Sequence, residues 1–299
     1  MKINSLSLIA IIFFIFIPVT NILCSNNNDG HSNEIPIDIS KYGHIIMKVK
    51  VDNVEGNFIL DTGAGINVIT KKFAAKLRSI KNLDRSFTGF RATGEELNMK
   101  LYIVNKIELG SIAEDKPVIT ILDADLGNID GLISLTCFRN RPFTIDFTNK
   151  KIYLETKSSL KERMNKGKVV PIQLDDVRGI SIDMFTKVRV NEKLTLQISL
   201  DSGAGFNVFR FNEAYMKELG IDTSNTKKYF KKSSINKNIN NMFYESILNK
   251  ISLNSAPSIS AENIKTSFLN GLIYDGITCI NWLGKKITID LPDKEMILN

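Results

Sequence analysis

The stretch Leu60-Asp61-Thr62-Gly63-Ala64-Gly65-Ile66-Asn67-Val68-Ile69 returns 140 residues later as Leu200-Asp201-Ser202-Gly203-Ala204-Gly205-Phe206-Asn207-Val208-Phe209. Seven of the ten positions are identical, and the three exchanges, Thr to Ser and Ile to Phe twice, keep an aspartate, a hydroxyl and glycines in order. A near-copy at this distance marks an internal repeat and therefore two equivalent halves. The flanks repeat too. Met47-Lys48-Val49-Lys50-Val51 and Val188-Arg189-Val190 alternate apolar and charged residues as half-buried strands do. Each leads through a turn into a second apolar strand, 57–60 or 196–200, so each copy reads as a hairpin ending in aspartate. Beyond the motifs, 71–80 and 212–219 carry apolar residues at helical spacing and predict a short helix in each half. Farther on, Asp130-Gly131-Leu132-Ile133 answers Asp275-Gly276-Ile277-Thr278. Last, Phe143-Thr144-Ile145-Asp146-Phe147 answers Ile287-Thr288-Ile289-Asp290-Leu291, each opening a terminal hairpin. The predicted fold is mostly β: two pseudo-symmetric β-barrel lobes, 41–157 and 168–299, with a linker at 158–167.

Composition agrees with a folded chain of this size. Of 299 residues, 43% are hydrophobic and 24% charged, with 18 Gly and 7 Pro, which excludes disordered and collagen-like classes. The net charge of +7 favours solubility and does not point to nucleic acid. The two histidines, His31 and His44, and three cysteines form no CxxC or HxxxH spacing, which argues against zinc and iron–sulfur sites. His44 is then the one realistic base for a Ser-His-Asp enzyme, and it begins a strand, where packing is the simpler role.

The N-terminus holds Lys2 and an unbroken apolar run at 8–17, too short to span a bilayer comfortably but suited to the core of an export signal. Residues 1–24 read as that signal and 25–40 as a polar tether. Ile22-Leu23-Cys24-Ser25 resembles a bacterial lipoprotein signal, with Cys24 as the lipidation site. Ordinary cleavage and an uncleaved anchor are the alternatives. The chain is expected to be exported, either held in the cell envelope (periplasm or outer membrane) by a lipid anchor or secreted.

An aspartate ending an apolar strand is costly to bury alone, by several kcal/mol unless paired or protonated. Two of them facing each other across an approximate two-fold axis cannot both ionise, so they share a proton. One can then accept a proton from water while the other donates to a carbonyl oxygen, which hydrolyses an amide without a metal or organic cofactor. Gly63 and Gly203 let backbone approach the carboxylates, and Thr62 and Ser202 offer hydroxyls to the opposite loop.

At these residues the sequence resembles the pepsin and retropepsin superfamily of aspartic peptidases, in its bacterial two-lobed form, over about 43–299. The resemblance implies acid-protease-type lobes and an aspartic endopeptidase with Asp61 and Asp201 catalytic and Thr62, Gly63, Ser202 and Gly203 supporting them. It implies a peptide or protein substrate lying in the cleft between lobes of a single chain, so that a monomer suffices. It also implies a strand crossing under each catalytic loop, at Leu132-Ile133 and Ile277-Thr278, where Ser134 and Cys279 stand in place of the usual glycine. A flap is implied at Thr88, Gly89, Phe90, Thr93 and Gly94; the second-half counterpart, 227–244, has no glycine, so one flap is expected. Ala64 and Ala204 replace a hydroxyl that favours the ionised aspartate in pepsins, so the pair should keep its proton to higher pH than pepsin's. Asp130, Asp275, Asp146 and Asp290 read as turn residues, Cys137 and Cys279 as small buried hydrophobes, and Lys227, Lys228, Lys231, Lys232 and Lys237 as a solvated loop. Two rival readings are an inactive peptide-binding module of the same fold, suggested by Ser134 and Cys279, and an envelope scaffold lipoprotein.

Overall fold

Period-two burial makes the first hairpin: along Ile45–Val51, Ile45, Met47, Val49 and Val51 are buried and the residues between them are not. Its return strand is Val54–Leu60, and the turn places Asp52 and Asn53 at φ +49° and +67°, the left-handed pair that a two-residue hairpin requires. The second half repeats the device with Ser181–Val190 and Leu194–Leu200, turning at Asn191 and Glu192 with φ +48° and +56°. These elements belong to a computed structural model that describes residues 33–91, 93–233 and 238–299. The protein is mostly β, with two pseudo-symmetric lobes of the expected kind.

In each half a three-residue strand crosses beneath the motif. Gly131–Ile133 pairs parallel with Val54–Leu60, Ile133 opposite Leu60, and antiparallel with Asn67–Thr70. Gly276–Thr278 does the same between Leu194–Leu200, Thr278 opposite Leu200, and Phe209–Asn212. The turn aspartates brace these crossings: Asp130 accepts from Asn57 N at 2.9 Å and Asp275 from Gln197 N at 3.0 Å. Asp146 and Asp290 likewise accept backbone N–H groups of their own turns.

A shared sheet joins the halves. Phe143–Asp146 pairs antiparallel with Lys286–Asp290, with Thr144 opposite Thr288 and their hydroxyls 2.6 Å apart. These two threonines are equivalent in the repeat, so the pseudo-two-fold axis passes between them. Lys151–Leu154 and Glu34–Ile39 extend one side of this sheet; Glu295–Leu298 and Lys168–Pro171 extend the other. One contiguous core runs beneath both halves, with Phe58, Phe73 and Phe143 fully buried in the first and Phe211 and Phe268 in the second.

Several expectations are corrected. Residues 34–39 are not tether but strand, because Ile35 and Ile37 alternate with polar residues and are buried. The linker is a helix, Lys157–Lys166, started by a capping box between Thr156 and Ser159 and burying no side chain. The helix after the first motif is only Lys71–Ala74, capped by Thr70, and its second-half counterpart tightens to a 3-10 turn, Glu213–Tyr215, capped by Asn212. The lysine-rich stretch is not a loop throughout: Lys228–Lys232 pairs with Asn240–Leu253, anchored by Tyr229 stacked on Phe243 at 5.0 Å. Cys137 and Cys279, by contrast, are buried as expected, as free thiols. Cys24, with all of residues 1–24, lies outside the described residues, among which no helix is long and apolar enough to cross a membrane.

Candidate active site

Each motif loop hangs from its crossing strand. Asp61 N donates to Ile133 O at 2.9 Å and Asp201 N to Thr278 O at 2.8 Å, so the main chain of each aspartate is fixed by a fully buried residue. The next residues interlock. Thr62 Oγ1 donates to Leu200 O at 2.6 Å and accepts from Ser202 N at 3.0 Å. Ser202 Oγ donates to Leu60 O at 2.7 Å and accepts from Thr62 N at 3.0 Å. Four buried hydrogen bonds thus cross between the halves in a closed, reciprocal set, and both side chains are buried.

This lock brings the two carboxyls into contact. A Cβ on Gly63 would stand 2.6 Å from Asp201 Cγ, and one on Gly203 would overlap the Asp61 carboxyl, so each acid occupies the space left by the other loop's missing side chain. Gly63 N donates to Asp61 Oδ1 at 3.0 Å and Ala204 N to Asp201 Oδ1 at 2.9 Å. Burial pushes both acids up from the ordinary carboxylate range. For Asp61 the Asp201 charge raises it further, whereas Asp201 is drawn back by its hydrogen bond from Asp61, by Ala204 N and by the Arg210 guanidinium. Two buried acids this close oppose each other's ionisation.

The two residues that depart from the resembled family leave both crossings paired. Ser134 is fully buried, and its N–H and hydroxyl both reach Asn67 Oδ1, at 2.8 and 3.2 Å. Asn67 in turn donates to Thr136 Oγ1 at 3.0 Å. Cys279 N donates to Val208 O at 2.9 Å. The repeat breaks here, since Asn207, the copy of Asn67, is exposed at φ +57°.

The expected flap residues lie on one hairpin, Lys81–Phe90 with Glu96–Ile103, where Thr88 faces Asn98, Gly89 faces Leu97 and Phe90 faces Glu96. Thr88 Oγ1 bonds Asn98 Oδ1 at 2.7 Å, and Phe90 is 49% exposed. Thr93 and Gly94 form the tip, with Gly94 at φ +79° and pressed against Gly271 O of the second half. Glu95, which sequence reading passed over, ties the tip down: it accepts from Arg91 Nη1 at 3.0 Å and from Ser233 Oγ at 2.6 Å, and both Glu95 and Ser233 are buried. Asp183 was missed as well. Its strand meets the first motif loop, where Ile182 N donates to Gly65 O at 2.9 Å. No local pattern marks the contact that either residue makes with the opposite half.

The two β lobes thus meet at paired Asp-Thr/Ser-Gly loops. Residues 47–136 match the family model described as aspartyl protease, a stretch that takes in most of the first hairpin, the first motif, the 81–103 hairpin and the first crossing strand; the second copy lies beyond the matched residues. No curated protein sequence matches the chain. Among solved structures, basic 7S globulin from soybean is similar with a TM-score of 0.49 and 8% identity, over 89% of this chain and 93% of that one.

Proposed function

We propose that the protein is an aspartic endopeptidase acting on extended polypeptides, with Asp61 and Asp201 as its catalytic pair. The aspartyl protease match supports a peptidase-type function. The observation that carries the finer reading is the contact of each carboxyl with the other loop's glycine under the Thr62/Ser202 lock. In this reading Asp201, whose charge Arg210 and Ala204 N favour, accepts a proton from water as the water oxygen attacks the scissile carbonyl carbon. Asp61 gives its proton to the carbonyl oxygen. The tetrahedral intermediate then collapses: one of its hydroxyls returns a proton to Asp61 as the carbonyl re-forms, the C–N bond breaks, and the leaving nitrogen takes the proton that Asp201 had accepted from water. Substrate lies along the cleft as an added strand, held by backbone hydrogen bonds, with 88–94 closing over it. One chain holds both aspartates, so a monomer suffices. Ser134 and Cys279, which pointed to an inactive module, leave both crossings paired and lend that rival no support.

The test is cleavage of a peptide mixture by the full chain between pH 4 and 7, with and without pepstatin. Inhibition is expected, and Asp61→Asn and Asp201→Asn should each lower kcat/KM by at least about 1,000-fold, the scale for removing an acid–base group. Unchanged cleavage by either amide variant overturns the proposal. The proposal includes export through residues 1–24, with Cys24 carrying a lipid; incorporation of labelled palmitate that Cys24→Ala abolishes would support it, and incorporation that survives would sink it.

A further inference from the structure

Against the loop that carries Asp61 lies a carboxylate that the proposed chemistry leaves unused. Asp183 and Ser181 alternate on Ser181–Val190 and so share one face of that strand, the face turned to the first motif loop. A Cβ on Gly65 would stand 3.1 Å from Ser181 Cβ and 3.2 Å from Asp183 Oδ2. Opposite Asp183 in the sheet is Asp175, on Gln173–Val177. Like charges facing each other across a strand pair are destabilising. A further titratable neighbour is Tyr274, half-buried, its ring tilted against Phe185 at 5.4 Å between centroids and its hydroxyl pushed up to about 12 by burial and by the charges of Asp183, Asp175 and Asp201.

Three features show the face to be incomplete. Among the described residues no lysine or arginine pairs with Asp183; burial and Asp175 push its carboxyl up to about 6, and no cation draws it back. The Ser181 hydroxyl is 1% exposed and has no hydrogen-bond partner among the described residues. Such groups are rare in folded proteins, and each asks for a donor or an acceptor from outside the chain. The third feature is the position, since both groups border the loop that carries Asp61. No group of three potential metal ligands occurs among the described residues, so the missing partner is better sought in an organic cation than in a metal ion.

Resting on the endopeptidase reading, we infer that Asp183, Asp175 and Ser181 form a substrate pocket that selects a lysine or arginine side chain next to the cleavage site. The ammonium or guanidinium places a positive charge between the two carboxylates and offers a donor to Asp183 and to the Ser181 oxygen, satisfying all three groups at once. A neutral side chain leaves them as they are.

The experiment compares the full chain with its Asp183→Asn and Ser181→Ala variants on one peptide mixture, with cleavage sites read by mass spectrometry at pH 7. The wild-type protein should show lysine and arginine enriched at one fixed position relative to the cut. Asp183→Asn should lose about 10-fold of that enrichment while cutting neutral sequences within about two-fold of the wild-type rate, and Ser181→Ala should lose a smaller part. Cleavage without basic enrichment, or enrichment unchanged in Asp183→Asn, overturns the pocket and leaves the catalytic reading standing. If the wild-type protein cuts nothing, the catalytic reading fails instead, and a second arm still decides the pocket. In that arm the Asp61→Asn protein is immobilised and captures matched peptides carrying lysine or norleucine. Preference for lysine that Asp183→Asn removes supports the pocket; equal capture refutes it.

Discussion

Thr62→Val tests the lock between the halves most directly, because it keeps the side-chain shape and deletes one hydroxyl. Thr62 Oγ1 serves two partners, donating to Leu200 O and accepting from Ser202 N, and the site is fully buried. After the substitution Ser202 N has no other partner and Leu200 O loses its donor from the opposite half. A buried polar group left unsatisfied costs about 1–3 kcal/mol, so two of them cost about 2–6 kcal/mol. Against a total stability of about 5–15 kcal/mol for a native domain, that is a large share. Urea unfolding followed by tryptophan fluorescence, with the slope unchanged and the midpoint lowered, measures the loss. Thr62→Ser keeps both bonds and should stay within about 1 kcal/mol of wild type, since it removes only one methyl group. In a cleavage assay Thr62→Val should also lose at least about 100-fold in kcat/KM, because the two carboxyls no longer hold their alignment. A Thr62→Val midpoint equal to wild type would refute the view that these bonds hold the halves together at the site.

Gly203→Ala drives a methyl into the Asp61 carboxyl; activity should fall by at least about 100-fold, as for other angstrom-scale misplacements, while circular dichroism stays native. Near-normal kinetics would show that the carboxyls do not pack as described. Gly94→Ala is disfavoured both by its φ of +79° and by contact with Gly271 O, so the flap tip should lift from the second half. Amide exchange in 88–95 should quicken while the crossing strands keep their protection, and unchanged exchange would argue against a pinned tip. Asp183 sets a pH dependence of stability. Its carboxyl titrates at about 6 in the folded protein against 3.8 ordinarily, so the neutral form is favoured by folding. That contribution is complete below 3.8 and is lost as pH rises through about 6. The difference amounts to about 3 kcal/mol at 1.36 kcal/mol per pH unit, so Asp183→Asn should be more stable than wild type at pH 7.5 by up to that much and equal to it near pH 3.5. A stability gap independent of pH would contradict this.

The repeat made much of the site legible in advance. Asp61 and Asp201, the hydroxyls beside them, the hairpins that carry them and the crossing strands at 132–133 and 277–278 all follow from one segment read twice, because a duplicated pattern constrains non-local geometry that a single pattern cannot. What stayed hidden was whatever the two copies do differently. Glu95 finds Ser233, and Asp183 finds Gly65, only after the lobes are assembled. The short helix expected at 212–219 shrank to a 3-10 turn, where the capping residue Asn212 remains but the turn that follows does not extend into an α-helix. Glu34–Ile39 reads as tether in the sequence because its flank is polar and short, and three alternating isoleucines are a weak signal until a partner strand is known.

The shared sheet has a consequence for any attempt to express half of the molecule. A fragment ending near residue 157 would present Phe143–Asp146 as a bare edge, deprived of Lys286–Asp290. Unpaired edges recruit strands. Since Phe-Thr-Ile-Asp and Ile-Thr-Ile-Asp alternate alike and meet around matched threonines, the orphaned edge can be completed by an identical fragment turned end for end. Such a fragment is expected to sediment as a symmetric dimer, with a second Asp61 standing where Asp201 had been.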